Sequence, residues 1–293
     1  MVVSVCSLKG GVGKTSVVLG LASSALARGI PTLVVDLDPQ ADATTGLDVL
    51  PGDADVASLL ANPRRRVLDA AVRPSGWIGA TGVDGEGVDT GGVDTGGRLD
   101  VVVGSHDSAA FDGPRASERA VSRLGQALAL LEQTGEDGEP VAPYRLVLVD
   151  CPPSFGGLTR SGLTASQRAI VVTEPALFSV TAADRALRAV DELRRDSAPA
   201  LQPLGVVVNR YRDRSPEHRY RVTELADMFG PLVLSPQIPE RSALQQAQGA
   251  SKAIHAWPGP AARELSDAFD AHLARLLRVA ARPPRRKAAT AGV

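Results

Sequence analysis

Two of the four lysines of this 293-residue chain stand close together near its amino terminus. Lys9 and Lys14 enclose a glycine-rich turn, and the other basic side chains of the chain are almost all arginines. An ammonium group can reach between phosphate oxygens as a point charge, whereas the planar guanidinium group needs more room. We therefore predict a phosphate-binding loop made of Lys9, Gly10, Gly11, Val12, Gly13, Lys14, Thr15 and Ser16.

The flanking segments have the patterns needed to position such a loop. Residues 2–7 are β-branched and apolar, which predicts a strand, and residues 17–28 carry apolar side chains at helical spacing before Gly29. A strand, a glycine turn and a helix N-terminus direct several N–H groups at one anion, and Thr15 offers its hydroxyl to Mg²⁺. The alternative is a glycine-rich turn with incidental lysines.

Two further strands end in carboxylates. The apolar run 32–36 leads into Asp36 and Asp38, and the run 145–150 ends at Asp150. Phosphoryl transfer needs a positioned water and neutralised phosphate oxygens, which carboxylates and a cation can supply. The alternative for Asp36 and Asp38 is that they cap the next helix.

Three segments together resemble the deviant Walker A ATPases of the ParA/MinD family. They are Lys-Gly-Gly-Val-Gly-Lys-Thr at 9–15, Asp-Leu-Asp-Pro-Gln at 36–40 and Asp-Cys-Pro-Pro-Ser at 150–154. The chain departs from the ordinary P-loop pattern, because Leu8 stands where a glycine is expected and Lys9 follows it. The resemblance implies an ATPase that uses ATP and Mg²⁺.

The resemblance also implies roles for individual residues. Lys9 would cross the interface of an ATP-bridged homodimer to the partner's nucleotide, and Asp38 would orient or activate the attacking water. The catalytic set is then Lys9, Lys14 and Asp38, and the metal set is Thr15, Asp38 and Asp150. Asn209 and Pro239 would lie near the base; the alternative for Asn209 is a polar cap at a strand end.

The composition favours one α/β domain. Hydrophobic residues make up 44% of the chain and aromatic residues only 3%, as in parallel strands covered by helices on both faces. We predict a doubly wound, mostly parallel sheet in a single P-loop ATPase domain over 1–280. Repeated Gly-Val-Asp segments predict a disordered insertion at 79–98, and 281–293 a basic disordered tail. The predicted strands are 2–7, 32–36, 100–103, 145–150, 168–173, 204–209 and 232–234.

The sequence gives no sign of a membrane-bound protein. No run of 18 apolar residues occurs, and the amino terminus leads directly into a strand. A MinD-type membrane helix is also missing from the carboxyl end, where prolines, arginines and alanines stand. We therefore expect a cytoplasmic protein without a membrane partner.

Positive charge is concentrated in the second half. Residues 1–140 hold 11 basic and 19 acidic side chains, and 141–293 hold 21 and 14. The resemblance implies non-specific binding of double-stranded DNA, association with the nucleoid and a ParB-like centromere-binding partner. A solvated charged face is the alternative. The candidate DNA-binding residues are Arg210, Arg212, Arg214, Arg241, Arg275 and Arg278.

Two other functions remain open at this stage. A cargo-positioning ParA-like ATPase would use the same chemistry and differ only in its partner. A metabolic ATP-dependent ligase or synthetase of related fold would activate a carboxylate, and its turnover would depend on a small acid.

Overall fold

The computed structural model describes residues 1–78, 97–134 and 140–280. Most of the predicted insertion and the whole predicted tail lie outside the described residues. Arg98, which the sequence placed at the end of the insertion, is held in the structure: its Nε lies 2.6 Å from Asp100 Oδ2.

A seven-stranded sheet forms the centre of the molecule. Its order is β3-β4-β2-β7-β1-β8-β9, and every neighbouring pair is parallel except β3 with β4. This is the predicted doubly wound fold. The strands are β1 Val2–Cys6, β2 Thr32–Asp36, β3 Val72–Pro74, β4 Leu99–Val102, β5 Gln133–Thr134, β6 Pro140–Val141, β7 Leu146–Asp150, β8 Arg168–Thr173 and β9 Gln202–Val208.

Helices cover both faces of this sheet. One face packs against the first and last helices, and the other packs against helices from the middle of the chain. The helices are α1 Lys14–Ala27, α2 Asp42–Gly46, α3 Val56–Ala61, α4 Arg65–Ala71, α5 Glu118–Val121, α6 Arg123–Ala129, α7 Gly157–Thr164, α8 Leu177–Asp196, α9 Pro216–Phe229, α10 Ser242–Gly249 and α11 Pro260–Ala280.

The last helix packs closely on the first. One stripe of α11, formed by Leu265, Phe269, Leu273 and Leu276 at helical spacing, is completely buried. Gly20 of α1 makes the approach possible, because a Cβ at that position would overlap the ring of Phe269. No described helix is both long enough and apolar enough to cross a membrane.

The strand prediction for 232–234 is wrong. Gly230–Leu232 forms a 3-10 turn, and only Val233 makes an isolated bridge, to Val206. Pro231 lacks an N–H group for a ladder, which explains why the apolar residues here do not continue as a strand. The short edge strand β3 and the β5–β6 hairpin were not predicted, because two or three residues are too few to show a period.

Candidate nucleotide-binding site

A cleft of about 330 Å³ opens where the central strands end. Residues 7–13 leave β1, and Asp36 and Asp150 are register partners at the ends of β2 and β7. Ligands bind at this edge of open α/β sheets. The cleft is lined by Ser7, Lys9, Gly11, Val12, Gly13, Lys14, Thr15, Ser16, Asp38, Gln40, Asp42, Pro153 and Arg210.

The glycines give the loop its shape. Gly11 and Gly13 have φ angles of 77° and 81°, a left-handed conformation that glycine adopts without strain. Helix α1 begins directly after Gly13, and no side chain caps its first turn. Its N–H groups are therefore available to an anion. Gly10 lies exposed on the turn before them.

Lys14 is the cation that pairs with the two acids of the cleft. Its Nζ lies 2.7 Å from Asp150 Oδ1 and 3.4 Å from Asp38 Oδ2, and the side chain is only 7% exposed. Burial alone would lower the pKa of Lys14, but the two carboxylates outweigh burial and raise the pKa. The ammonium group thus stays charged and compensates two acids.

The residues predicted to hold Mg²⁺ lie next to one another. Thr15 Oγ1 donates to Asp150 Oδ2 at 2.7 Å, and Asp38 faces the same ammonium group of Lys14. These hard oxygen donors fit Mg²⁺, which usually takes one or two carboxylates and completes its octahedron with water and phosphate oxygens. No cluster of three or more histidine, cysteine or acidic side chains suited to a metal occurs among the described residues. Two carboxylates and one hydroxyl leave coordination positions for water and for phosphate oxygens.

Asp36 has a different task from Asp38. Its Oδ2 accepts hydrogen bonds from the N–H and the hydroxyl of Thr44, both at 2.8 Å, so it satisfies the first turn of α2. Burial, and then the charge of Asp150, raise the pKa of Asp36 to about 7. The helix-capping alternative thus describes Asp36. Asp38 accepts from the N–H of Gln40 with Oδ1 and presents Oδ2 to Lys14.

Lys9 lines the cleft, but its hydrogen-bond partners differ from those of Lys14. Its Nζ donates to Glu174 Oε1 at 2.6 Å and to Ser179 Oγ at 3.0 Å. Sequence reasoning missed both partners. The pattern that predicted Asp150 could also have predicted Glu174, because in both cases an acid stands at the carboxyl end of a buried strand.

The two predicted base-binding residues lie in different places. Asn209 is 3% exposed, and its Nδ2 donates to the carbonyl of Val12 at 2.9 Å. This hydrogen bond fixes the glycine loop to the end of β9. Pro239 bridges to Tyr211 and lines a separate cavity of about 380 Å³.

The predicted DNA-binding arginines do not form one free surface. Arg212 pairs with Glu240, and Arg241 pairs with both carboxylate oxygens of Glu264. Arg210 lines the cleft with its Nη1 3.9 Å from Glu174, and Arg275 donates to the carbonyl of Pro231. Within the described ranges, Arg214 and Arg278 are the two exposed members whose side chains make neither an ion pair nor a hydrogen bond.

The fold and the cleft define a P-loop nucleotide-binding protein on a doubly wound sheet. The chain matches the model of the CobQ/CobB/MinD/ParA nucleotide binding domain over residues 3–254, and it belongs to this family. The resemblance inferred from the sequence is thereby confirmed.

Similar proteins include chromosome-partitioning proteins. The chromosome partitioning protein ParA of Caulobacter vibrioides is 28% identical over 268 residues, which cover 86% of this chain and 85% of the relative. The chromosome-partitioning ATPase Soj of Thermus thermophilus is 29% identical and covers 89% and 90%.

Solved structures share the fold. Cobyrinic acid a,c-diamide synthase of Mycobacterium smegmatis, solved with an ATP analogue and magnesium, is 25% identical with a TM-score of 0.70, covering 94% of both chains. An ATP complex of a McdA variant from Cyanothece has a TM-score of 0.75 at 18% identity, covering 94% of this chain and 95% of that one.

Proposed function

We propose that this chain is a ParA-like partition ATPase. ATP and Mg²⁺ join two copies, the joined form binds double-stranded DNA without sequence preference, and a ParB-like partner stimulates the hydrolysis that separates the copies. The observation that carries the proposal is the ammonium of Lys14, held between Asp150 and Asp38 at the mouth of the glycine loop. Its support is the partition-protein relatives and the three motifs.

Phosphate binding follows from the loop. The uncapped N–H groups at the start of α1 would surround the phosphates, and the ammonium of Lys14 would exchange its contacts with the two carboxylates for contacts with the phosphate oxygens. Thr15, Asp38 and Asp150 would hold Mg²⁺, which when bound adds positive charge beside the same oxygens.

Hydrolysis and base binding use the rest of the site. Asp38 is 8% exposed and faces Lys14, where its carboxylate orients a water for attack on the terminal phosphate. The Nδ2 of Asn209 donates to the carbonyl of Val12, so the amide oxygen is left to accept a hydrogen bond from the adenine amino group. Pro239 would contact the base through its ring. Lys9 reaches the nucleotide of the second copy.

DNA binding needs arginines that are free to meet phosphates. Arg214 and Arg278 satisfy this condition within the described part of the chain, while the paired arginines would first have to leave their acids. Contacts with phosphates carry no sequence information and weaken with salt. The proposal places the protein in the cytoplasm on the nucleoid, with 1–280 as one ATPase domain.

Light scattering with different nucleotides tests this proposal. We expect the mass of a monomer with ADP and of a dimer with Mg²⁺ and a slowly hydrolysed ATP analogue. Lys9→Ala should remain monomeric with both nucleotides, whereas Lys252→Ala, which changes an exposed lysine, should behave as the unaltered protein. A monomer with the analogue, at concentrations where the analogue is bound, would refute the ATP-driven dimer.

A second candidate function is a metabolic ATP-dependent synthetase. The structural likeness to cobyrinic acid a,c-diamide synthase, at 25% identity, favours it. ATP turnover that depends on a small carboxylic acid and is unaffected by DNA would support this function over partition. A cargo-positioning ATPase would share the dimer and the DNA binding, and only its partner would distinguish it.

A further inference from the structure

The ammonium of Lys9 is held inside its own chain by two side chains from one neighbouring segment. It donates to Glu174 Oε1 at 2.6 Å and to Ser179 Oγ at 3.0 Å. Glu174 follows β8, and Ser179 stands in the first turn of α8. Asp38 and Asp150 pair with Lys14 and not with Lys9, so these pairs of the phosphate cleft do not need Lys9 in this position.

Glu174 also has a second cation within reach. Arg210 Nη1 lies 3.9 Å from Glu174 Oε2, and both residues line a cavity of about 320 Å³ beside the cleft. If Lys9 leaves, Arg210 can take over the carboxylate with a small side-chain movement. The acid would then never be left without a positive partner.

The Lys9–Glu174 pair is partly open to solvent, which lowers the free-energy cost of exchanging Lys9 for Arg210. The side chains of Lys9 and Glu174 are 37% and 23% exposed. A pair with this exposure is screened by water and contributes modestly. The contact is therefore strong enough to hold the flexible lysine in one place, and weak enough for a ligand to break.

We propose that Glu174 is a positioning residue that holds Lys9 in its own chain until a second copy binds. This inference rests on the proposed function. Association with ATP then exchanges the Lys9–Glu174 pair for a contact between Lys9 and the second copy's nucleotide, while Arg210 takes over Glu174. The restraint opposes dimer formation, so a higher protein concentration is needed before two copies join.

The first test measures dimer formation in Glu174→Gln, which removes the charge and keeps the shape. Loss of a partly exposed ion pair should favour association by about two- to fivefold per copy, hence about 4- to 25-fold in the dissociation constant of the ATP-analogue dimer. Ser179→Ala, which removes only the second contact, should change the constant in the same direction by less.

Glu240→Gln is the matched control. Glu240 lines the same cavity as Glu174 but pairs with Arg212. This variant loses an acidic charge at the same rim without touching Lys9, and its dimer constant should stay within about twofold of the unaltered protein. An unchanged or raised dissociation constant in Glu174→Gln overturns the restraint.

The second test needs no dimer. The chain has four lysines, so an amine-specific reagent followed by mass spectrometry can measure each labelling rate in the nucleotide-free protein. In Glu174→Gln, Lys9 should label at least about twofold faster relative to exposed Lys252, because the carboxylate no longer engages its amine. In Glu240→Gln it should not.

The two tests separate the two proposals. Equal labelling of Lys9 in the unaltered protein and in Glu174→Gln overturns the restraint, whatever the dimer does. A protein that stays monomeric with the ATP analogue, but shows faster labelling of Lys9 in Glu174→Gln, overturns the ATP-driven dimer and supports the restraint in the single chain.

Discussion

The ammonium of a single lysine, Lys14, lies between the two acids of the phosphate cleft. Its ammonium lies 2.7 Å from Asp150 and 3.4 Å from Asp38, and all three side chains are buried. In the nucleotide-free chain the lysine pairs with the acids, and in the proposed function it binds the phosphates. Binding and folding thus depend on the same charge.

Lys14→Ala should therefore lose nucleotide binding and stability together. We expect no measurable ATP affinity by calorimetry, and a loss of about 3–5 kcal/mol in the free energy of unfolding, because two buried carboxylates lose their cation. Lys252→Ala, at an exposed site, should leave both quantities unchanged. ATP affinity retained in Lys14→Ala would contradict the assignment of the cleft.

At the scale of elements, the packing of α11 on α1 closes one face of the sheet. Gly20 lies against the ring of Phe269, and His272 is buried one turn farther along α11. Neither ring nitrogen of His272 has a hydrogen-bond partner among the described residues. The packing of α11 therefore depends on the missing Cβ of Gly20 and on the burial of an imidazole.

Gly20→Ala should destabilise the fold although alanine is the better helix former. The added Cβ would overlap the ring of Phe269, and such overpacking costs about 1–3 kcal/mol. Gly249→Ala, at the exposed end of α10, is the control, since a Cβ there meets nothing within 4 Å. Urea unfolding should show a lower midpoint for Gly20→Ala only; equal midpoints would argue against the close approach.

His272 should make the fold sensitive to acid. Burial lowers the pKa of His272 from 6.5 to about 4, so between these values the unfolded chain binds a proton that the folded chain does not. Above pH 6.5 His272 is neutral in both states and does not lower the stability. As the pH falls below 6.5, the free energy of unfolding decreases because of His272, and the loss is about 2 kcal/mol at pH 5.

His272→Leu should remove that part of the acid sensitivity. Its unfolding free energy should fall less between pH 7 and 5 than that of the unaltered protein, by about 2 kcal/mol. A change at the exposed His106, to glutamine, should leave the pH dependence as it was. Parallel pH profiles for the unaltered protein and His272→Leu would show that His272 is charged or solvated in the folded chain.

The sequence predicted the elements whose signals are local. The glycine turn before α1 and the acids that end β2 and β7 follow from residues that are neighbours in the chain. The contacts of Lys9 with Glu174 and of Gly20 with Phe269 join segments far apart in the chain. Their partners are fixed only when the sheet order and the helix packing are known, so sequence patterns could not supply them.

At the scale of the whole molecule, most of the six candidate DNA-binding arginines are engaged within the chain itself. The second half of the chain carries the excess of basic residues, but acids in the same half engage Arg212 and Arg241. Among the candidates, the side chains of Arg214 and Arg278 make no ion pair or hydrogen bond within the described residues. The proposed DNA contact should depend mainly on these two.

Arg214→Ala combined with Arg278→Ala should weaken DNA binding without changing ATP turnover in the absence of DNA. Loss of two phosphate contacts per copy, four per dimer, should lower the slope of log affinity against log salt concentration by about 4. A double change at Arg188 and Arg195, which pair with acids on α8, is the control. Fluorescence anisotropy with a duplex of arbitrary sequence measures both, and an unchanged slope would move the DNA surface elsewhere.

The most direct measurement of the central claim is the affinity for that duplex with ADP, with ATP and with ATP in Asp38→Ala, all with Mg²⁺. A switch that closes on ATP predicts weak binding with ADP, tight binding with ATP, and binding that lasts in Asp38→Ala, where the water is no longer oriented. Equal affinity in all three conditions would contradict a nucleotide-controlled partition ATPase.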